Sequence, residues 1–412
     1  MNARPLFPWI LAGAALAALP PVAGPQEAKP PTPSAVEVRV RVSAGGRFQD
    51  DLKLQDFQLL EDGWAQSIAS LSLVRGGSIV RREGAGPAEA PPLERTYTLL
   101  FQAVDWDPKL AGVIEYLFGS VLKPGDAMTL ITPFKPYRLQ RDALAVKSKD
   151  ELAKSMEDVL RKDISRGSGE YRDLINDLKR LTKAISGSTA AFDEDLGTDP
   201  TMEAAGGFGL EMQIDRYRST LLKLDSIRLV DEDKLVAFAG SLKPVRGQKT
   251  VVLFYQREYR PEISAGTMNR LMGLYQENFD VILNLMELFQ FYKREKTFNA
   301  DRVKRAFADA GIDFHFVFME KKSQRVFGAT MREQSEDAFP GFVDIAKATG
   351  GTAETAQNPS ATFKRAADAS SDYYILSYVP DSAAPPGVFR TIEVRVGRPG
   401  CEVVNRLGYF SK

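Results

Sequence analysis

Asp105 and Asp107 stand two residues apart where the apolar run Arg95 to Val104 (Arg-Thr-Tyr-Thr-Leu-Leu-Phe-Gln-Ala-Val) gives way to polar residues. Paired carboxylates at a strand end are the hard oxygen ligands that a Mg²⁺ or Ca²⁺ ion takes. Asp107 also precedes Pro108, and an aspartate before proline serves equally well to start a helix. The run carries an amide, Gln102, one residue from its apolar core, and a second apolar run, Thr250 to Tyr255, ends in Gln256-Arg257-Glu258-Tyr259. Gln102, Asp105, Trp106, Asp107, Gln256, Arg257 and Tyr259 are therefore the candidate contact surface for a protein partner. The divalent-cation site at Asp105 and Asp107 is the alternative, and the first reading requires no cofactor.

The remaining reactive residue types point away from catalysis. His315 is the only histidine and lies within Asp313-Phe314-His315-Phe316, on the same strand face as Asp313 and Val317, which reads as a hydrogen-bonded structural residue. Cys401 is the only cysteine, so it forms no internal disulfide and packs as a small apolar group. One histidine and one cysteine far apart indicate no nucleophilic triad and exclude zinc sites of the usual spacing. Gly206-Gly207-Phe208-Gly209 follows no strand and lacks the lysine of a phosphate loop. Lys321-Lys322 and Arg294 to Lys296 read as solvated charge runs. No catalytic residue is assigned, and the chain reads as a non-enzyme.

These residues need elements to hold them. Three apolar runs, Thr96 to Phe101, Thr250 to Tyr255 and Ile312 to Phe318, have the character of strands buried on both faces, and helical patterns lie between them. Parallel strands joined by helical crossovers follow, with ligands expected outside the carboxyl ends of the strands. The fold class expected is α/β: a doubly wound, mostly parallel, Rossmann-like sheet. Val36 to Val42, Phe57 to Leu60 and Ile68 to Val74 at one end, and Tyr373 to Val379, Phe389 to Val396 and Glu402 to Leu407 at the other, read as short strands, several of them alternating. The two ends are expected to form one accessory β-sandwich.

Residues 1–24 carry Arg4, an apolar segment from Trp9 to Leu19 and small residues after Pro20-Pro21, the pattern of a secretory signal, with an uncleaved anchor as the alternative. Residues 25–35 form a proline-rich spacer. The remaining boundaries are 36–74 for the N-terminal sandwich strands, 75–94 for a Gly/Ala/Pro-rich linker, 95–371 for the α/β domain and 372–412 for the C-terminal sandwich strands. Within the α/β domain, 142–209 reads as a helical insertion ending in a mobile loop from Gly187 to Gly209. Ser264 to Lys296 reads as one long helical pattern whose apolar face, Phe279, Ile282, Leu283, Met286 and Phe289, is core, or a partner-binding surface if too wide to be covered. With 54 basic and 54 acidic residues the net charge is zero, and no field recruits nucleic acid or an anionic membrane.

Several blocks carry a family resemblance. Asp56-Phe57, Glu61-Asp62-Gly63 and Gln66 near the start resemble the von Willebrand factor A-related domain proteins of the acidobacterial type. So do Ala346 to Gly351 (Ala-Lys-Ala-Thr-Gly-Gly), Tyr373 to Pro380 (Tyr-Tyr-Ile-Leu-Ser-Tyr-Val-Pro), Phe389 to Val394 and Arg406 to Phe410. The resemblance implies a von Willebrand factor A-like fold. It also implies a metal-ion-dependent adhesion site made by a strand-end aspartate, a Ser-x-Ser pair and a threonine. In this chain the aspartate position is Gln102 and Ala103 and Val104 follow, so the resemblance implies a degenerate site. Taken together, the sequence describes an exported protein, periplasmic or secreted, with no integral span beyond the signal segment. Its expected function is a metal-independent interaction module for an unidentified protein partner. A divalent-cation-dependent ligand-binding domain is one alternative, and a homo-oligomeric envelope protein that self-assembles through the helical insertion is the other.

Overall fold

Every residue of the strand Gln248–Gln256 is buried, because its Thr-Val-Val-Leu-Phe-Tyr core is apolar on both faces and strands flank it on both edges. The structure, a computed structural model, describes residues 35–85, 90–140, 142–190, 200–294, 298–381 and 384–411. The signal segment and nearly all of the proline-rich spacer lie outside the described residues. Among those residues, no helix is long and apolar enough to cross a membrane.

The sheet that contains Gln248–Gln256 runs in the order Ala353–Ala356, Ile312–Met319, Gln248–Gln256, Arg95–Gln102, Ala127–Ile131, Pro136–Leu139. Alternate side chains enter two different cores. Val252 and Phe254 join Leu99, Phe101 and Val317 beneath the helices Lys109–Tyr116, Lys149–Gly167 and Pro359–Ala369. Val251, Leu253 and Tyr255 join Leu100, Phe314 and Phe316 beneath Glu232–Leu242, Ala300–Asp309 and Phe339–Thr349.

The expectation of a doubly wound, mostly parallel sheet is corrected. Among the described residues parallel pairing is confined to this one sheet, which is itself mixed because Pro136–Leu139 pairs antiparallel with Ala127–Ile131. The other three sheets are antiparallel throughout. The expectation gave three doubly buried apolar runs more weight than the many half-buried, alternating ones, and it is the latter that fill the antiparallel sheets.

In the largest antiparallel sheet Val36–Ala44 lies between Tyr373–Tyr378 and Glu402–Asn405, and Tyr373–Tyr378 continues through Ile68–Arg75 to Ser78–Gly84. The last of these strands occupies part of what reads as a linker over 75–94, and its burial alternates along its length. A four-stranded sheet pairs Phe57–Glu61 with Phe389–Val396 and Trp64–Gln66, and Phe389–Val396 with Gly408–Phe410. Val38, Val40, Leu59, Leu71, Tyr374, Leu376 and Ile392 share one core between the two sheets. Asp62 and Gly63 have φ of +50° and +84°, the backbone that a two-residue hairpin turn requires.

The helical region also departs from expectation. Gly187 to Gly209 reads as a loop, yet Pro200–Arg228 is helix, and residues 191–199 lie outside the described ones. Ser264 to Lys296 divides into Ala265–Leu274 and Phe279–Tyr292. The second begins at Asn278, whose Oδ1 accepts the Val281 N–H at 3.1 Å and caps it. A small antiparallel pair, Tyr259–Ile263 with Ala329–Glu333, extends beyond the central strand ends.

Candidate functional site

The parallel register sets Gln102 beside Tyr255, so Gln256 projects one residue further and meets the loop that leaves Gln102. Its Oε1 accepts the N–H groups of Val104 at 3.0 Å and Asp105 at 2.9 Å, and its Nε2 donates to the Asp105 carbonyl at 3.2 Å. All three bonds hold this chain's own backbone, and Gln256 is only 5% exposed. The loop is fixed from the other side as well. Ser168 Oγ donates to the Val104 carbonyl at 2.8 Å, and Arg172 Nη1 donates to the same oxygen at 3.3 Å. Val104 shares a core with Tyr171, Ile175 and Leu178 of the helix Gly169–Ala190. The helices after residue 142 therefore roof the strand ends.

Beneath that roof lies a buried ion pair, Arg228 Nε to Glu258 Oε2 at 2.6 Å. Burial disfavours the Arg228 charge, but Glu258 more than restores it, and the guanidinium is held above its ordinary value. Burial and the Glu258 charge also push the Tyr255 and Tyr171 hydroxyls up. Arg260 pairs with Glu262 at 2.6 Å and approaches Asp225 at 3.6 Å. Paired charges of this kind fix loop geometry.

The other expected contact residues are dispersed. Asp105 is half-buried and its carboxylate is ion-paired with Lys321. Lys321 thus belongs to this site and not to a solvated charge run. Trp106 packs against the core under Lys109–Tyr116. Asp107 Oδ1 accepts the Lys109 N–H at 2.9 Å, the helix-starting role. Arg257 pairs with Glu333 at 3.2 Å and lies over the Phe318 ring at 5.1 Å. Gln102 and Tyr259 are both half-buried. Of the seven residues, Asp105, Asp107, Gln256 and Arg257 are thus engaged by other groups of this chain. Sequence reasoning missed Ser168, Arg172 and Arg228, which lie more than sixty residues from the Val104 loop or thirty from Glu258, and no local pattern marks such a separation. Among the described residues no group of three or more His, Cys, Asp or Glu side chains is placed to hold a metal ion.

The open surface lies elsewhere. On Phe279–Tyr292 the side chains of Val281, Leu285 and Leu288 are fully buried. Phe279, Leu283, Met286 and Phe289, at spacings of four, three and three, are 44 to 75% exposed. Ile282 between them is half-buried. The core reading of this face is corrected: the helix is apolar nearly all round, and only one side of it finds a neighbour. Glu277 and Asp280 lie at one end of the exposed stripe. At the other end, Lys293 Nζ lies 4.3 Å from the centre of the Phe289 ring. Leu274, at the end of the preceding helix, is also exposed.

His315 is held at both ring nitrogens. The Thr352 N–H donates to Nδ1 at 3.2 Å, so Nε2 carries the proton and faces Ser370 Oγ at 3.1 Å. Ser370 Oγ in turn donates to the Ala366 carbonyl at 2.8 Å. Burial, and then the Arg41 charge, lower its pKa to about 4.

No family model matches the chain, and no curated protein matches it. A solved structure, the human COPII-coat protein Sec24c, aligns over 77% of this chain and 44% of its own length at 8% identity with a TM-score of 0.27. A likeness that weak carries no argument. The resemblance to von Willebrand factor A-related proteins is therefore corrected. The blocks that suggested it are local devices open to unrelated chains: the Asp62-Gly63 hairpin turn, a helix end at Gly350 with φ of +78°, and short alternating strands.

Proposed function

We propose that this protein is a non-enzymatic protein–protein interaction module, and that its contact surface is the exposed apolar stripe of Phe279–Tyr292, with an amphipathic helix of another protein as the partner. The observation that carries this is the exposure of Phe279, Leu283, Met286 and Phe289 on one helical face. Burying a side chain of this kind contributes roughly 1.5–3 kcal/mol, and contiguous apolar patches on soluble proteins mark interaction sites. A facing helix that presents its own apolar residues at the same spacing would cover the stripe. The acidic end at Glu277 and Asp280 and the basic end at Lys293 favour a partner with the opposite charge order. The strand-end residues support the reading differently. Asp105, Asp107, Gln256 and Arg257 already have partners within this chain, and the metal-dependent alternative at Asp105 has to compete with Lys321 for the same carboxylate.

One layout favours a second reading. A helix acidic at its start and basic at its end is complementary to itself when two copies pack antiparallel across a two-fold axis. Self-association through this face is then the outcome to separate. A photo-crosslinking residue at position 283 or 286 tests both in the native host. Adducts that map to an apolar helical face of one other protein, and that disappear with Met286→Glu while the melting temperature stays within about 2 °C, support the module. Adducts only between two copies, matched by a concentration-dependent mass in light scattering, replace it with self-assembly. Crosslinks no stronger than those from a polar control position such as Glu157 remove the surface altogether.

A further inference from the structure

Three cations meet around one glycine at the opposite ends of the central strands. Gly311 links Ala300–Asp309 to Ile312–Met319 with φ of +64°. A Cβ placed there would stand 3.6 Å from Arg406 Nη1, 3.7 Å from Arg39 Nη2 and 3.9 Å from Lys249 Cε. Each side chain arrives from a different part of the fold. Arg39 comes from Val36–Ala44, Lys249 from Gln248–Gln256, and Arg406 from the turn between Glu402–Asn405 and Gly408–Phe410. All three line a cavity of about 590 Å³ between the antiparallel sheets and the central sheet.

Their hydrogen bonds go to neutral carbonyls. Arg39 Nη2 donates to Gly311 O at 2.5 Å, Lys249 Nζ to Val245 O at 2.9 Å, and Arg406 Nη2 and Nη1 to Glu37 O at 2.9 Å and Ala308 O at 3.3 Å. Arg406 Nε is buried and has no hydrogen-bond partner among the described residues. Four carboxylates line the cavity: Glu37, Asp309, Asp313 and Asp372. Asp313 lies 3.6 Å from Arg39, and its carboxyl is pushed up by burial. Asp309 is bound by Lys243 at 2.6 Å and by the Phe410 N–H at 2.8 Å. The crowding is felt: burial first, then Arg39 and Arg406, lower Lys249 to about 8. A clamp between the two parts of the fold needs the carbonyl bonds and nothing more. A third cation with no carboxylate of its own is costly unless an anion joins it.

We propose that this cavity binds a small organic phosphate, with the phosphate oxygens on Arg39, Lys249 and Arg406 and the organic body in the remaining volume. Two guanidinium forks and an ammonium match a multiply charged oxyanion. The volume falls within the range of small-molecule sites and exceeds what a bare phosphate fills. Calorimetry and melting scans on the full chain would compare phenyl phosphate, inorganic phosphate and benzoate with sodium chloride at equal ionic strength. Phenyl phosphate is expected to bind and raise the melting temperature, inorganic phosphate to do so more weakly, and benzoate to match chloride. Lys249→Met is expected to melt no lower than the parent in chloride, because it relieves like-charge crowding, while weakening phenyl phosphate binding at least tenfold. Arg406→Gln should weaken it similarly if it folds, and Lys249→Met decides the matter if it does not. A phenyl phosphate response equal to chloride, one unchanged in Lys249→Met, or benzoate binding as well as phenyl phosphate would overturn the assignment.

Discussion

His315 shows how a single buried side chain sets a pH limit on the whole molecule. In the unfolded chain its imidazole titrates near the ordinary value of 6.5, and in the folded protein near 4. The folded state therefore binds fewer protons between those values. The stability His315 contributes is complete above pH 6.5 and is lost as pH falls toward 4, by roughly 2–3 kcal/mol at pH 4.5. His315→Gln keeps a donor and an acceptor but cannot titrate, so urea unfolding at pH 7 and pH 4.5 should show the parent losing that much more than the variant. Equal losses in the two proteins would place the acid sensitivity in the carboxylates instead. The structural role of this histidine was legible, since its neighbours Phe314 and Phe316 put it inside a strand. The fate of Asp105 and Gln256 was not. Both ends of the Lys321–Asp105 pair are in plain view, but 216 positions separate them, and an amide at a strand end reads alike whether it serves a partner or its own backbone.

At the scale of elements the helices separate what local sequence encodes from what it omits. Phe279–Tyr292 was legible as helical by its spacing, but only as part of one pattern from Ser264 to Lys296 that ran through the cap at Asn278, and a helix apolar on nearly every side does not announce which side is covered. That information resides in neighbours such as Leu224 and Ile227, which share its core. Gly167 makes the same point with a sign attached. Inside or near the end of a helix, glycine to alanine ordinarily gains up to about 1 kcal/mol. Here a Cβ would meet the carbonyl carbon of Pro133 at 2.6 Å and its oxygen at 2.7 Å, backbone atoms that cannot swing aside. Gly167→Ala should therefore destabilise, by about 1–3 kcal/mol as overpacking does. An unfolding midpoint that rises in this variant would mean that the helix Lys149–Gly167 sits further from the central sheet than described.

At the scale of the whole molecule, the stretch 142–209, which reads as an insertion, is woven into two cores. Leu152, Leu160 and Ile164 pack against the central sheet, and Leu178, Leu181 and Ile185 pack with Pro200–Arg228 and Phe279–Tyr292 over the strand ends. The chain ends are interleaved in a comparable way, since Val36–Ala44 pairs with strands more than three hundred residues later. Such connections escape a reading from composition, because charge and glycine content mark where a segment begins and ends but not what its apolar face touches. They also make the region a poor candidate for clean excision. Six buried aliphatic side chains at roughly 1.5–3 kcal/mol each amount to the whole stability of an ordinary domain. Deleting 147–209 should consequently abolish the cooperative melting transition, and with it the near-ultraviolet circular dichroism of the packed tyrosines Tyr255 and Tyr292. If the shortened chain instead melts cooperatively within about 10 °C of the parent, these helices form a separable unit, and the bonds from Ser168 and Arg172 to Val104 contribute little to holding the loop.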